Sequence, residues 1–292
     1  MRTVEARTQR RMPLALATVA LVAVVLLVVA ALIGVRLASS SSAPGPPPTP
    51  AAPGGLVAEL SRVPGSVLNT VGAPGPPVVR PPTTVPSAAA LRHDGRPEVV
   101  YVGAEFCPFC AAERLALVVA LGRFGHFSAL GLATSSRQLV FPGTPSVSFR
   151  GASYTSPWLA FEPTETYSAR GTQADPDAFA ALQGVPAAAA ALVRRYDVPP
   201  LAPVAGALPF VDIGGRTVVV GAGFSPAVLS GLSIGTVAGD LSSPTSRVAQ
   251  AVDGTANELT AAICAATGGQ PTSVCRSPAA QAGSARLTAG AG

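Results

Sequence analysis

The sequence predicts an α/β domain, and three observations carry that prediction. An apolar run rich in Val and Tyr, Glu98 to Ala104, is followed almost at once by a helix-like run, Ala111 to Leu121. A second strand-like run, Phe127 to Thr134, comes next. Farther on, Leu208 to Ile213 and Thr217 to Gly221 flank Gly214-Gly215, the pattern of a β-hairpin. Between the first strand and its helix stands Cys107-Pro108-Phe109-Cys110.

Composition bounds the rest. The 292 residues suffice for one large domain or two small ones. The net charge of +5 does not mark a nucleic-acid partner. Arg2, Arg7, Arg10, Arg11 and Arg36, set against Glu5, place nearly all of it around one N-terminal apolar run. The remaining chain is close to neutral and carries no basic footprint for nucleic acid. With four cysteines and two histidines, little is left for a metal site.

In chain order, residues 1–12 are a short basic segment read as cytoplasmic. Residues 13–35 are uncharged and apolar, about 34 Å long as a helix against a bilayer core of about 30 Å. The basic residues before it predict an N-terminus in the cytoplasm and the rest outside, a single-pass anchor in the cell membrane. A cleaved signal peptide is the competing reading, but its apolar core would be about 7–15 residues, shorter than this run. Either reading sends the remainder to an oxidising compartment, where disulfides persist. Residues 36–55 form a Pro/Ser/Gly-rich linker, with Pro46-Pro47-Pro48 favouring an extended spacer.

Residues 56–277 hold the domain. Leu56 to Val71 has near-helical apolar spacing interrupted at Pro64-Gly65. Asp94-Gly95 is a turn signal. After the strand 98–104 comes the helix, Pro108 to Phe124, then strands at 127–134 and 146–154, a β-α-β order that favours a parallel pair. Asp175-Pro176-Asp177 is a helix start, with helix to Tyr196 broken at 184–186. Ser225-Pro226 caps a short helix, and 244–267 is again helix-like. Residues 278–292 are small and polar and read as a flexible tail.

The chemistry concentrates at Cys107. A cysteine at a helix N-terminus meets unpaired backbone N–H groups and the positive end of the helix dipole. Both favour the thiolate, the attacking species in disulfide exchange. Cys110, three positions on, is placed to resolve a mixed disulfide. Pro108 suits the first turn, where its missing N–H leaves nothing unsatisfied. Two other readings stay open: an inert structural disulfide, or half of a zinc site lacking a second close cysteine pair.

The order strand, CxxC helix, strand, helices, hairpin, helix resembles the thioredoxin superfamily. Tyr101 to Arg114, Phe124-Gly125, Leu208 to Gly214 and Ile263-Cys264 with Cys275 resemble a narrower, thioredoxin-like group, domain-of-unknown-function family 929. The superfamily resemblance implies a thioredoxin-like fold with helical insertions and thiol–disulfide exchange. It also implies a cis-proline facing the cysteines, and Pro209 is the candidate. DsbA-type proteins carry His between the cysteines and thioredoxins Gly-Pro; here Pro108-Phe109 stands there, and Phe109 supplies neither hydrogen bond nor charge.

The expected function is thus a membrane-anchored, extracytoplasmic thiol–disulfide oxidoreductase. Its partners are cysteines of exported proteins, the bilayer through residues 13–35, and a membrane redox partner. Its only redox group is the Cys107–Cys110 disulfide, with no further cofactor. The alternative is a non-catalytic binding or assembly module with a static disulfide. A copper-delivery protein is disfavoured, since neither histidine lies close to the thiols in sequence. Cys264 and Cys275 are read as a structural disulfide, or else as a second exchange pair. Glu113, one turn beyond Cys110, and Glu105 are candidate proton acceptors, or solvated partners of Arg114 or Arg123. His93 and His126 are read as surface residues.

Overall fold

The computed structural model describes residues 48–85, 89–169 and 179–289. The predicted anchor at 13–35 and the Asp175-Pro176-Asp177 helix start lie outside the described residues. Among the described residues no helix is long and apolar enough to cross a membrane.

The architecture is mixed α/β. Strand β3 (Arg96–Gly103) is its axis. It pairs antiparallel with β7 (Phe210–Ile213), which pairs with β8 (Thr217–Val220) and through it with β1 (Thr83–Thr84). On its other register β3 runs parallel to β6 (Ala160–Glu165), and its first residues pair with β2 (Arg92–His93). Both faces of β3 are covered. Val99 and Tyr101 join Val211 and Ile213 in the main core, while Val100 and Val102 join Phe210 and Val218 in a second one. A strand buried on both sides needs a continuous apolar run rather than alternation, which is what residues 99–102 supply. The hairpin turn requires Gly214 and Gly215, whose φ angles of 63° and 74° lie in the left-handed region.

The parallel partner of β3 is not the one expected from sequence. Strand β4 (His126–Thr134) pairs antiparallel with β5 (Pro145–Thr155) in a separate two-stranded sheet. The crossover returns to the main sheet only at β6. The reason is the short connection from β4 to β5, which lets the two close locally as antiparallel neighbours before the chain goes back.

The main helices lie against the Val99–Tyr101 face. Helix α1 (Gly54–Ser61) and α2 (Gly65–Val71) are separated by Pro64, as the sequence break predicts. Helix α3 (Pro108–Gly122) is buried nearly all round, with Leu115, Leu117, Val118 and Leu121 at most 1 % exposed. Burying each such side chain contributes about 1.5–3 kcal/mol. Helix α4 (Ala187–Tyr196), opening after Pro186, covers the other face through Ala189 and Tyr196. A 3-10 turn (Pro226–Leu229), capped by Ser225, α5 (Ile234–Asp240) and the long α6 (Arg247–Ala266) follow.

Residues 278–289 are not a flexible tail. After α7 (Thr272–Cys275), Pro278–Ala289 forms a helix, α8, that packs along α6. Ala279 and Ala280 are buried, and a Cβ at Gly283 would collide with the Asn257 carbonyl. Small residues let the two backbones approach closely, so the composition that reads as unstructured is what permits the contact.

Candidate functional site

Strand β3 delivers the chain into a turn, Ala104-Glu105-Phe106, and Cys107 then caps α3. Cys107 is extended (φ −80°, ψ 123°), and its sulfur accepts the Cys110 backbone N–H at 3.3 Å. Pro108 takes the first helical position. Cys110 is the deeper residue, 0 % exposed against 7 % for Cys107, and its sulfur receives the Ala104 N–H at 3.5 Å.

Across from the dithiol runs the approach to β7. The Leu208–Pro209 peptide bond is cis, and the Leu208 carbonyl lies 3.8 Å from the Cys107 sulfur. The residue brought against the Cys107 sulfur is thus Leu208, directly ahead of Pro209. An apolar collar surrounds the sulfurs: Phe106 stacks on Phe179, Phe109 meets Phe141 edge-on, and Leu208 closes one side.

The two thiols differ in acidity. The Cys107 thiol is lowered to about 7, chiefly by its hydrogen bond with the Cys110 side chain. Burial opposes this; the Cys110 and Phe109 backbone N–H groups and the Arg114 charge assist it. Cys110 is pushed well up by burial and by its neighbour. One sulfur is thus poised to ionise near neutral pH while the other keeps its proton.

Arg114 is the residue that sequence reading missed. It is fully buried, not a solvated partner for a surface acid. Its Nη1 donates to both Glu165 carboxylate oxygens at 3.1 and 3.2 Å, to the Tyr101 hydroxyl at 3.2 Å and to the Ala104 carbonyl at 3.2 Å. Burial works against its charge, and Glu165, Tyr101 and Cys110 more than offset that. The Ala104 peptide links this cation to the dithiol: its carbonyl accepts from Arg114 and its N–H donates to Cys110. Glu165 sits 51 residues away on the neighbouring parallel strand, and no local pattern in the sequence announces the pair.

The candidate acids fall elsewhere. Glu113 is buried against the turn after β8, where its Oε2 accepts the Gly223 N–H at 2.9 Å. Burial raises its carboxyl to about 7, with the Gly223 hydrogen bond working against that. Among the described residues no hydrogen bond joins it to either cysteine. Glu105 directly precedes Phe106, and its Oε1 accepts from Thr49 at 2.8 Å and Ser148 at 2.6 Å. It lines a cleft of about 500 Å³ with Thr49, Arg137 and Pro145. His93 and His126 are exposed, as expected.

Cys264, in the last turn of α6, and Cys275, at the end of α7, are joined in a disulfide. Their sulfurs are therefore engaged with each other, and Cys107 and Cys110 remain as thiols without a second cysteine pair to complete a zinc site.

No curated protein and no solved structure matches the chain. The family model described as Domain of unknown function (DUF929) matches residues 85–265, from just before the hairpin that opens β3 to the last turn of α6. That span covers well over half of the chain and takes in the dithiol, Arg114, Glu165 and Pro209, so the chain belongs to the DUF929 family.

Proposed function

We propose that this chain is a membrane-anchored, extracytoplasmic thiol–disulfide oxidoreductase of thioredoxin-like fold, with Cys107 and Cys110 as its exchange centre. The observation that carries the reading is the unequal setting of the two sulfurs. Cys107 is the more accessible, at a helix N-terminus, with its thiol lowered to about 7; Cys110 is sealed behind it and held protonated.

The reductive direction runs as follows. The Cys107 thiolate attacks one sulfur of a substrate disulfide, and the other substrate sulfur leaves as a thiolate that takes up a proton. Cys110 then gives up its proton and attacks the Cys107 sulfur, releasing the second substrate thiol. Two electrons pass to the substrate and a Cys107–Cys110 disulfide is left. Oxidation of exported thiols is the same sequence reversed. A second thiol–disulfide couple at the membrane resets the pair, and residues 13–35 confine the domain near it. Pro209 shapes the wall that an incoming peptide meets.

The test is the reduction potential of the pair, measured by equilibrating the full-length protein in glutathione buffers and trapping free thiols. A value of about −120 to −270 mV, with exchange lost in Cys107→Ser and the thermal transition kept, is expected. A value below about −300 mV with sluggish exchange belongs to a static disulfide and would overturn the proposal in favour of a binding module.

A further inference from the structure

A second cluster of chemically active side chains lies at the start of β3, outside the dithiol site. His93 on β2, Glu98 on β3 and Glu162 on β6 each offer one ligand atom, and these atoms all lie within 4.8 Å of one another. Three separate strands of one sheet converge to place them. The strands are joined by backbone pairing, Arg92 with Pro97 and Glu98 with Ala160, so the convergence is a property of the sheet rather than of one loop.

A second, independent observation points the same way. Glu162 and Asp212 both pair with Val100, from opposite sides of β3. Glu98 is two residues from Val100, and side chains two apart on a strand share a face. Glu98, Glu162 and Asp212 thus form a row of carboxylates on one face of three adjacent strands. Asp212 is fully buried; its Oδ1 accepts the Gly215 N–H, and among the described residues its Oδ2 has no partner. Among the described residues neither Arg92 nor Arg96 forms an ion pair with these acids. Arg92 donates to the Gly95 carbonyl and Arg96 to the Ser156 carbonyl.

We propose that His93, Glu98 and Glu162 form a binding site for a divalent cation of the zinc class. One imidazole nitrogen and two carboxylate oxygens are ligands such an ion takes, leaving a fourth position open. Zinc bonds of about 2.0–2.1 Å place neighbouring ligand atoms about 3.3 Å apart in a tetrahedron, so the three groups close by at most about 1.5 Å on binding. His93 and Glu162 are exposed, while Glu98 is half-buried and fixes the base of the site. A cavity of about 440 Å³, lined by His93, Arg96, Phe161 and Glu162, adjoins two of the three ligands. Asp94, 3.5 Å from His93 Nε2, orients the ring from outside.

The experiment is isothermal titration of the full-length protein, in detergent and with Cys107–Cys110 oxidised so that thiols cannot compete, using zinc chloride alone. One zinc per chain is expected. His93→Gln and Glu162→Gln are each expected to weaken it by about tenfold or more, since replacing even groups that only orient ligands costs that much. Both changes are at exposed positions, and the thermal transition of the metal-free variants checks that they fold. Absence of a saturable site in the native chain overturns the proposal, as does binding that persists undiminished in both variants. Neither result touches the exchange chemistry at Cys107, which is read separately by the reduction potential.

Discussion

The chain carries two cysteine pairs, and they sit at opposite ends of helices. Cys107 stands at the N-terminus of α3; Cys264 lies in the last turn of α6. The helix field favours a thiolate at the first position and disfavours it at the second. The contrast extends to their surroundings. Behind Cys107 and Cys110 lies a buried cation with its counter-ion, reached through the Ala104 peptide. Around Cys264 and Cys275 are a turn containing Gly268 and Gly269 and the half-buried ends of two helices. The pair that is bonded is the more exposed, and the pair left as thiols is almost enclosed. Exposure alone therefore does not tell the bonded pair from the free one. What differs is the polar apparatus arranged to hold charge on one sulfur.

The largest change expected from breaking this contrast comes from Arg114→Met. It strips the cation from one pair and leaves the other untouched. Removing one partner of a buried ion pair is expected to cost about 3–5 kcal/mol in urea unfolding, because Glu165 is left without its counter-charge. The same variant should raise the Cys107 thiol above about 7, followed by thiolate absorbance. The rise is smaller than the whole displacement, since the Cys110 hydrogen bond is the larger cause. An unmoved titration would show that the buried cation serves stability only.

A middle-sized effect is expected at the other pair. The double variant Cys264→Ser/Cys275→Ser should lose about 2–3 kcal/mol of stability, since the bond closes only a short loop. It should retain full exchange activity at Cys107 in a dithiol-coupled assay. Activity lost in step with the bond would break the distinction between the pairs and make Cys264–Cys275 part of the electron path.

The smallest perturbation changes only the pH. The Cys107 thiol is lowered from 9.0 to about 7, so alkylation of the reduced protein should rise through about pH 7 and level off above it. The sign for stability follows. A thiol whose folded value is depressed contributes fully above its unfolded value near 9, and that contribution is lost as pH falls through about 7. The oxidised protein lacks this dependence. Denaturant midpoints of both forms, compared between those two pH values, check it.

The parts of the molecule that the sequence announced are those with local markers. The CxxC step from strand to helix, the Gly214-Gly215 hairpin and the proline ahead of it each occupy a few consecutive residues whose chemistry dictates one backbone path. The pairing of Cys264 with Cys275 was legible for the same reason, being short in sequence. Arg114 was not, because a charged residue on a helix looks solvated until Glu165 arrives from a distant strand. Helix α8 was invisible for another reason: Ala279, Ala280 and Gly283 pack by being small, and smallness carries no hydropathy signal. The partner of β3 was misassigned because the nearest strand in sequence closed on its own neighbour instead.

The enclosure of Cys110 has a practical corollary. At 0 % exposure beside a neighbour at 7 %, its sulfur is out of reach of any bulky electrophile that Cys107 can meet. The native fold thus offers a single chemical handle at its centre, so a fluorophore or cross-linker attached there reports from one known atom. Double labelling of this pair becomes a direct gauge of how often the start of α3 opens.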